Sequence, residues 1–64
     1  MEFKDRLKYL LEKEGITAYR IWKDTSITKG TIANYIEGKT NPNKSNISIL
    51  ATYFKVNEEW LANG

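Results

Sequence analysis

Cysteine and histidine are both absent from the 64 residues. Without thiols there can be no disulfide, no thiolate nucleophile and no cysteine metal ligand. Without imidazole the usual zinc ligand sets and histidine general acid–base chemistry fall away as well. Ser-His-Asp and Cys-His catalytic arrangements are excluded for the same reason. Proline occurs once, at Pro42. No apolar run approaches the roughly 20 residues that a membrane span needs. The opening Met-Glu-Phe-Lys-Asp-Arg lacks the basic-then-apolar layout of a secretory signal. Charge of one sign is also scarce: ten basic and eight acidic residues leave a net +2, too slight an excess to point to a partner. These absences predict a cytoplasmic, non-enzymatic protein with no metal, cofactor or small-molecule ligand and no contact with a membrane.

What is present is the material of one small folded domain spanning residues 1–64. The apolar fraction is 41% and the charged fraction 28%, the balance of a soluble globular chain and not of a disordered tail. So short a chain has little stability in reserve. It is expected to bury most of its eight aromatics, Phe3, Tyr9, Tyr19, Trp22, Tyr35, Tyr53, Phe54 and Trp60.

The periodicity predicts an all-α fold of five short helices. Phe3, Leu7, Leu10 and Leu11 follow the i, i+4, i+7, i+8 pattern of an amphipathic helix that stops at Gly15. Glu2 to Arg6 and Lys8 to Glu12 are opposite-charge i,i+4 pairs placed on its wet side. Thr17 is positioned to cap a second helix with Ala18, Ile21, Trp22 and Thr25 facing inward. Thr28 is positioned to cap a third that runs to about Glu37, with Gly38 as its terminator. Residues 39–44 read as a loop. Ile47, Leu50, Ala51 and Phe54 mark a fourth helix capped near Ser45 or Asn46. Asn57 opens a last turn or two, where Glu58 and Glu59 complement the positive helix end. Trp60 and Leu61 would then tuck back onto the core.

The second and third helices, of about eight and ten residues within 17–37, are joined by only Thr25-Ser26-Ile27. So short a connection forces a sharp crossing, the helix-turn-helix geometry. On a helical wheel of the third helix, Ile32, Tyr35 and Ile36 face the core, while Gly30, Ala33, Asn34 and Glu37 lie opposite, flanked by Lys29 and Thr31. A merely solvated face usually fills with long Lys and Glu side chains. Here three of the four positions are small or short, so the backbone and Asn34 can approach a surface closely. Asn pairs bidentately with adenine, a Thr methyl suits the thymine methyl, and Lys29 can reach guanine or a phosphate. Charge follows the same division. Residues 15–44 hold five basic side chains (Arg20, Lys23, Lys29, Lys39, Lys44) against two acidic ones, whereas residues 1–14 are neutral and 45–64 slightly acidic. The whole positive excess lies where phosphates would lie.

The chain resembles the lambda-repressor-like, Cro-type (XRE family) helix-turn-helix domains of phage repressors and bacterial regulators. The resemblance is carried by Gly15-Ile16-Thr17, by Ser26 through Tyr35, by Gly38-Lys39 and Pro42, and by Ile47, Leu50-Ala51, Phe54, Val56-Asn57 and Trp60-Leu61. It covers nearly the whole chain. It implies a compact five-helix domain that binds a pseudo-palindromic double-stranded DNA operator, as a homodimer, with the third helix in the major groove. Carried over by position, Lys29, Gly30, Thr31 and Asn34 would read bases. Thr17, Ala18, Tyr19, Thr28, Lys39, Asn43 and Lys44 would hold the DNA backbone. Four positions depart from the family pattern: Ala18 stands where Gln is usual, Trp22 where a small residue is preferred, Ser26 where Gly is common, and Glu37 where Asn or Arg often meets phosphate. The expected role is transcriptional regulation, as a repressor, in a minimal regulator or as the N-terminal domain of a longer one. The alternative on the same fold is a protein-interaction module of adaptor or antitoxin type, a reading that Ala18 and Glu37 favour.

Overall fold

Four of the five helices start where a short polar side chain takes a free amide. In the computed structural model, which describes residues 2–63, helix α1 spans Phe3–Glu14, α2 Ala18–Thr25, α3 Lys29–Glu37, α4 Lys44–Phe54 and α5 Glu58–Asn63. Thr17 Oγ1 accepts from the Arg20 amide at 3.3 Å, and Thr28 Oγ1 accepts from Thr31 at 3.2 Å. Asn43 Oδ1 accepts from Asn46 at 2.8 Å, and Asn57 Oδ1 from Trp60 at 2.9 Å. Each of these bonds satisfies a donor that the first turn of a helix leaves without a partner. Four helices end in a left-handed residue: Gly15 (φ 65°), Ser26 (71°), Gly38 (76°) and Lys55 (59°). Glycine adopts that conformation freely, whereas Ser26 and Lys55 hold it against a Cβ penalty.

The core is aliphatic at its centre. Leu7, Leu10, Ile21, Ile32, Leu50 and Leu61 are fully buried, with Phe3, Ile27, Tyr35, Ile47, Ala51 and Phe54 around them. Helix α1 packs on α3 and α5, α4 packs on α5, and α2 packs on α3. Phe3 meets Tyr35 edge-on at 5.6 Å, pinning the start of α1 to α3. The helix order and the all-α class are those expected from the periodicity.

Several sequence expectations are corrected. Of the eight aromatics, only Phe3, Tyr35 and Phe54 are buried. Tyr53 is half-buried, and Tyr9, Tyr19, Trp22 and Trp60 are exposed. Branched aliphatic side chains fill the small centre, so bulky rings are left to its margins. In α2 only Ile21 is buried, with Ala18 and Thr25 half-buried; Trp22, one residue or about 100° further round, faces out. At the far end Leu61 alone is fully buried and Trp60 is not tucked in.

Arg6 is not on the wet side of α1. It is only 3% exposed, and its Nε donates to the Leu61 carbonyl at 3.1 Å, while Glu2 reaches Lys4 at 3.9 Å. That carbonyl lies in the last turn of α5, where intrahelical donors run out. Helix α4 also begins earlier than Ser45 or Asn46, since Asn43 is its cap; Lys44 is therefore its first helical residue and not part of a loop.

Candidate nucleic-acid interface

The turn that joins α2 to α3 is held from inside. Thr25 Oγ1 donates to the Ile21 carbonyl at 2.7 Å and accepts from the Ile27 amide at 3.2 Å. Ser26 turns the chain in the left-handed conformation, and the Ile27 side chain is buried beneath it. The connection is Ser26 to Thr28 and not Thr25 to Ile27, because Thr25 still belongs to α2 and Thr28 lies outside α3 as its cap; these three residues separate an eight-residue from a nine-residue helix. Asn46 Nδ2 donates to the Tyr35 hydroxyl at 2.8 Å and ties the middle of α3 to α4.

On α3 the residues expected to read bases do not share one environment. Lys29 and Gly30 are exposed at its N-terminal end, and Asn34 is half-buried one turn further on. A Cβ built at Gly30 would meet nothing within 4 Å, so the surface there is open. Thr31 is half-buried, and its hydroxyl lies 2.8 Å from that of Thr28. That contact ties the two hydroxyls together within the domain.

Among the residues expected on the backbone, Thr17 and Tyr19 are exposed and Ala18 is half-buried. Thr17 and Thr28 spend their hydroxyl oxygens on helix caps, as does the Asn43 side-chain oxygen. Lys44 stands exposed at the start of α4. Lys39 is exposed but its ammonium is 3.0 Å from the Glu37 carboxylate. Glu37, which would repel a phosphate, is thereby partly neutralised by its neighbour.

The sequence reading missed three features. Lys4 of α1 lies across the C-terminal end of α3: a Cβ at Gly38 would come within 3.0 Å of Lys4 Cδ. Nothing local in residues 1–14 signals that approach, because it is created by the packing of α1 on α3. Lys29 lies over the rings of Tyr19 and Trp22, both 5.6 Å from its Nζ. Asp24 accepts from the Tyr53 hydroxyl at 2.6 Å and from Arg20 Nε at 3.0 Å. The Arg20–Asp24 spacing of four was legible as a helical pair; Tyr53, 29 residues away, was not. The Tyr53 hydrogen bond, aided by Arg20, holds the Asp24 carboxyl below its ordinary range. The same bond raises the Tyr53 hydroxyl above its own.

Among the described residues, no cluster of acidic side chains is arranged to hold a metal ion, and no helix is long and apolar enough to cross a membrane. A capped helix, a three-residue turn fastened by Thr25 and Ile27, and a second helix with an open small-residue face define a helix-turn-helix domain. The chain belongs to the helix-turn-helix domain family, whose model matches residues 5–64; that family is XRE-like. The chain is similar to an uncharacterized HTH-type transcriptional regulator of Haemophilus influenzae, with 33% identity over 63 residues. The match covers 97% of this chain and 26% of that protein, so the chain spans about a quarter of its relative's length. No solved structure shows significant similarity to it.

Proposed function

We propose that this chain is the sequence-specific double-stranded DNA-binding domain of a prokaryotic or phage transcriptional regulator. It acts in the cytoplasm as a repressor by occupying its operator. The observation that carries this reading is the outer side of α3: open space at Gly30, half-buried Ala33 and Asn34, and exposed Lys29 at the helix start. In this reading α3 enters the major groove, where Asn34 pairs with adenine, the Thr31 methyl meets thymine and Lys29 addresses guanine. Thr17, Ala18, Tyr19, Thr28, Lys39, Asn43 and Lys44 line the phosphates on either side. One module of this size buries about 600–1,000 Å² on DNA, which is little for regulation; a homodimer on a pseudo-palindromic site supplies the rest. Ala18 and Glu37 are the features that favour a protein-interaction role, and the pairing of Glu37 with Lys39 weakens the second of them.

Selection from random duplexes, followed by binding across a salt series, tests the proposal. A defined half-site should emerge, and log affinity should fall steeply with log salt. Asn34→Ala should relax preference at one base position by about 1–3 kcal/mol, whereas Lys39→Ala should weaken all sequences alike and lower the salt slope by about 1. No binding at low salt would overturn the proposal, and identical uniform losses in the two variants would overturn the division of roles.

A further inference from the structure

Tyr19 and Trp22 lie three residues apart in α2 and so share one face, with ring centroids 5.6 Å apart and planes at 57°. The three-residue turn brings Lys29, the first residue of α3, back against that face. Its ammonium sits 5.6 Å from both centroids. Lys23 lies over the same Tyr19 ring at 6.0 Å. The rings are exposed, Tyr19 by 52% and Trp22 by 40%, so burial in the core does not account for where they stand.

A ring holds a cation differently from a carboxylate. The negative face of the π system attracts the ammonium without cancelling its charge. Lys39 and Arg20 are each paired with an acid at 3.0 Å, whereas among the described residues no carboxylate pairs with Lys29. Lys29 thus has no acid beside it among the described residues, while its ammonium rests against two rings. Side-chain freedom surrendered before a ligand arrives does not have to be surrendered on binding.

We propose that Tyr19 and Trp22 form a clamp that positions the Lys29 ammonium at the entrance of the reading helix for the acceptor edge of a guanine. Trp22 is then a positioning residue for base discrimination. The clamp rests on the DNA-binding reading above and adds to it a residue with no assigned role there.

The test is a double-mutant cycle on the selected duplex and on a scrambled duplex at the same salt. Trp22→Ala should weaken binding to the selected duplex by about two- to fivefold, the range for one exposed cation–π contact. It should leave the scrambled duplex unaffected, and Trp22→Phe should restore most of the loss. In a Lys29→Ala background, Trp22→Ala should have no further effect. Thermal melts by circular dichroism confirm that each variant is folded. In the free domain, the Lys29 Cε protons should show an upfield ring-current shift that shrinks in Trp22→Ala. Equal losses on both duplexes, an undiminished effect in the Lys29→Ala background, or no ring-current shift would overturn the clamp alone. A wild-type domain that binds no duplex overturns the DNA reading itself.

Discussion

Arg6 and Lys29 each carry a positive charge on a long stem, yet the fold treats them in opposite ways. Arg6 sits at 3% exposure in the seam between α1 and α5, with a carbonyl of the last helix as a partner. Lys29 stands exposed at the turn, against two aromatic rings and no carboxylate among the described residues. A buried charge must be fully hydrogen-bonded to be tolerated, so Arg6 belongs to the scaffold. A charge left in water against a ring keeps its field for a ligand. The two regions divide the work: the α1–α5 seam fastens the ends of the chain together, and the α2–α3 edge presents chemistry outward.

The largest effects should come from the interior. Ile21→Ala is expected to cost about 2–5 kcal/mol, because Ile21 is fully buried and its neighbours can close the cavity only in part. A domain of this size holds only about 3–5 kcal/mol in total, so the midpoint of a urea titration should move close to zero denaturant. The adjacent Trp22→Ala should cost about 1 kcal/mol or less. Equal costs at these neighbouring positions would erase the distinction between interior and edge.

Arg6→Leu comes next. It removes a charge-assisted hydrogen bond and strands the Leu61 carbonyl, at about 1.5–3 kcal/mol in chemical denaturation. The folded fraction should bind DNA as before. Loss of binding by well-folded Arg6→Leu would place Arg6 at the interface and break the comparison.

Ser26→Gly should act in the other direction. Relieving the left-handed strain at φ 71° should raise stability by up to about 1 kcal/mol, read as a higher melting temperature. Because the turn geometry is kept, DNA affinity should not fall.

Tyr53→Phe should give the smallest change, and one that depends on pH. In the folded state Asp24 titrates below its unfolded range, so its contribution is present above that range and lost as pH falls through the folded value. Tyr53 titrates above its unfolded range, so its contribution is present below that range and lost as pH rises through the folded value. Removing the hydroxyl should therefore lower stability slightly across the neutral range, and the difference from the parent should vanish towards the acid and alkaline ends, where the parent has lost the same contribution. Denaturation midpoints across pH check this. A stability unchanged at neutral pH would show that the bond between α2 and α4 contributes nothing measurable.

The helix boundaries were mostly legible because caps act within three or four residues. Thr17, Thr28 and Asn57 were read correctly, and Gly15 and Gly38 end their helices as expected. The start of α4 was missed because several consecutive polar residues can all cap, and only the backbone conformation at Asn43 selects among them. The outer side of α3 was legible in part: its period separates exposed Gly30 from buried Ile32 and Tyr35, but Ala33, Asn34 and Ile36 are all half-buried. The wheel did not reveal that the Thr31 hydroxyl is engaged by Thr28, although the two lie only three residues apart.

What the sequence determined by itself was local: five helices, most of their caps, the glycine stops, a short turn and the concentration of positive charge in residues 15–44. These rest on periodicity and on hydrogen bonds between near neighbours, which the order of residues specifies directly. Tertiary structure alone decided which apolar residues are covered and which charges have partners. A helical wheel shows that Ile21 and Trp22 point about 100° apart, but not how far the neighbouring helices reach around α2. Arg6 meets Leu61 across 55 positions and Tyr53 meets Asp24 across 29. Lys29 reaches Trp22 only because the turn folds α3 back onto α2. Such contacts follow from how helices pack, and helix packing depends on the whole core at once.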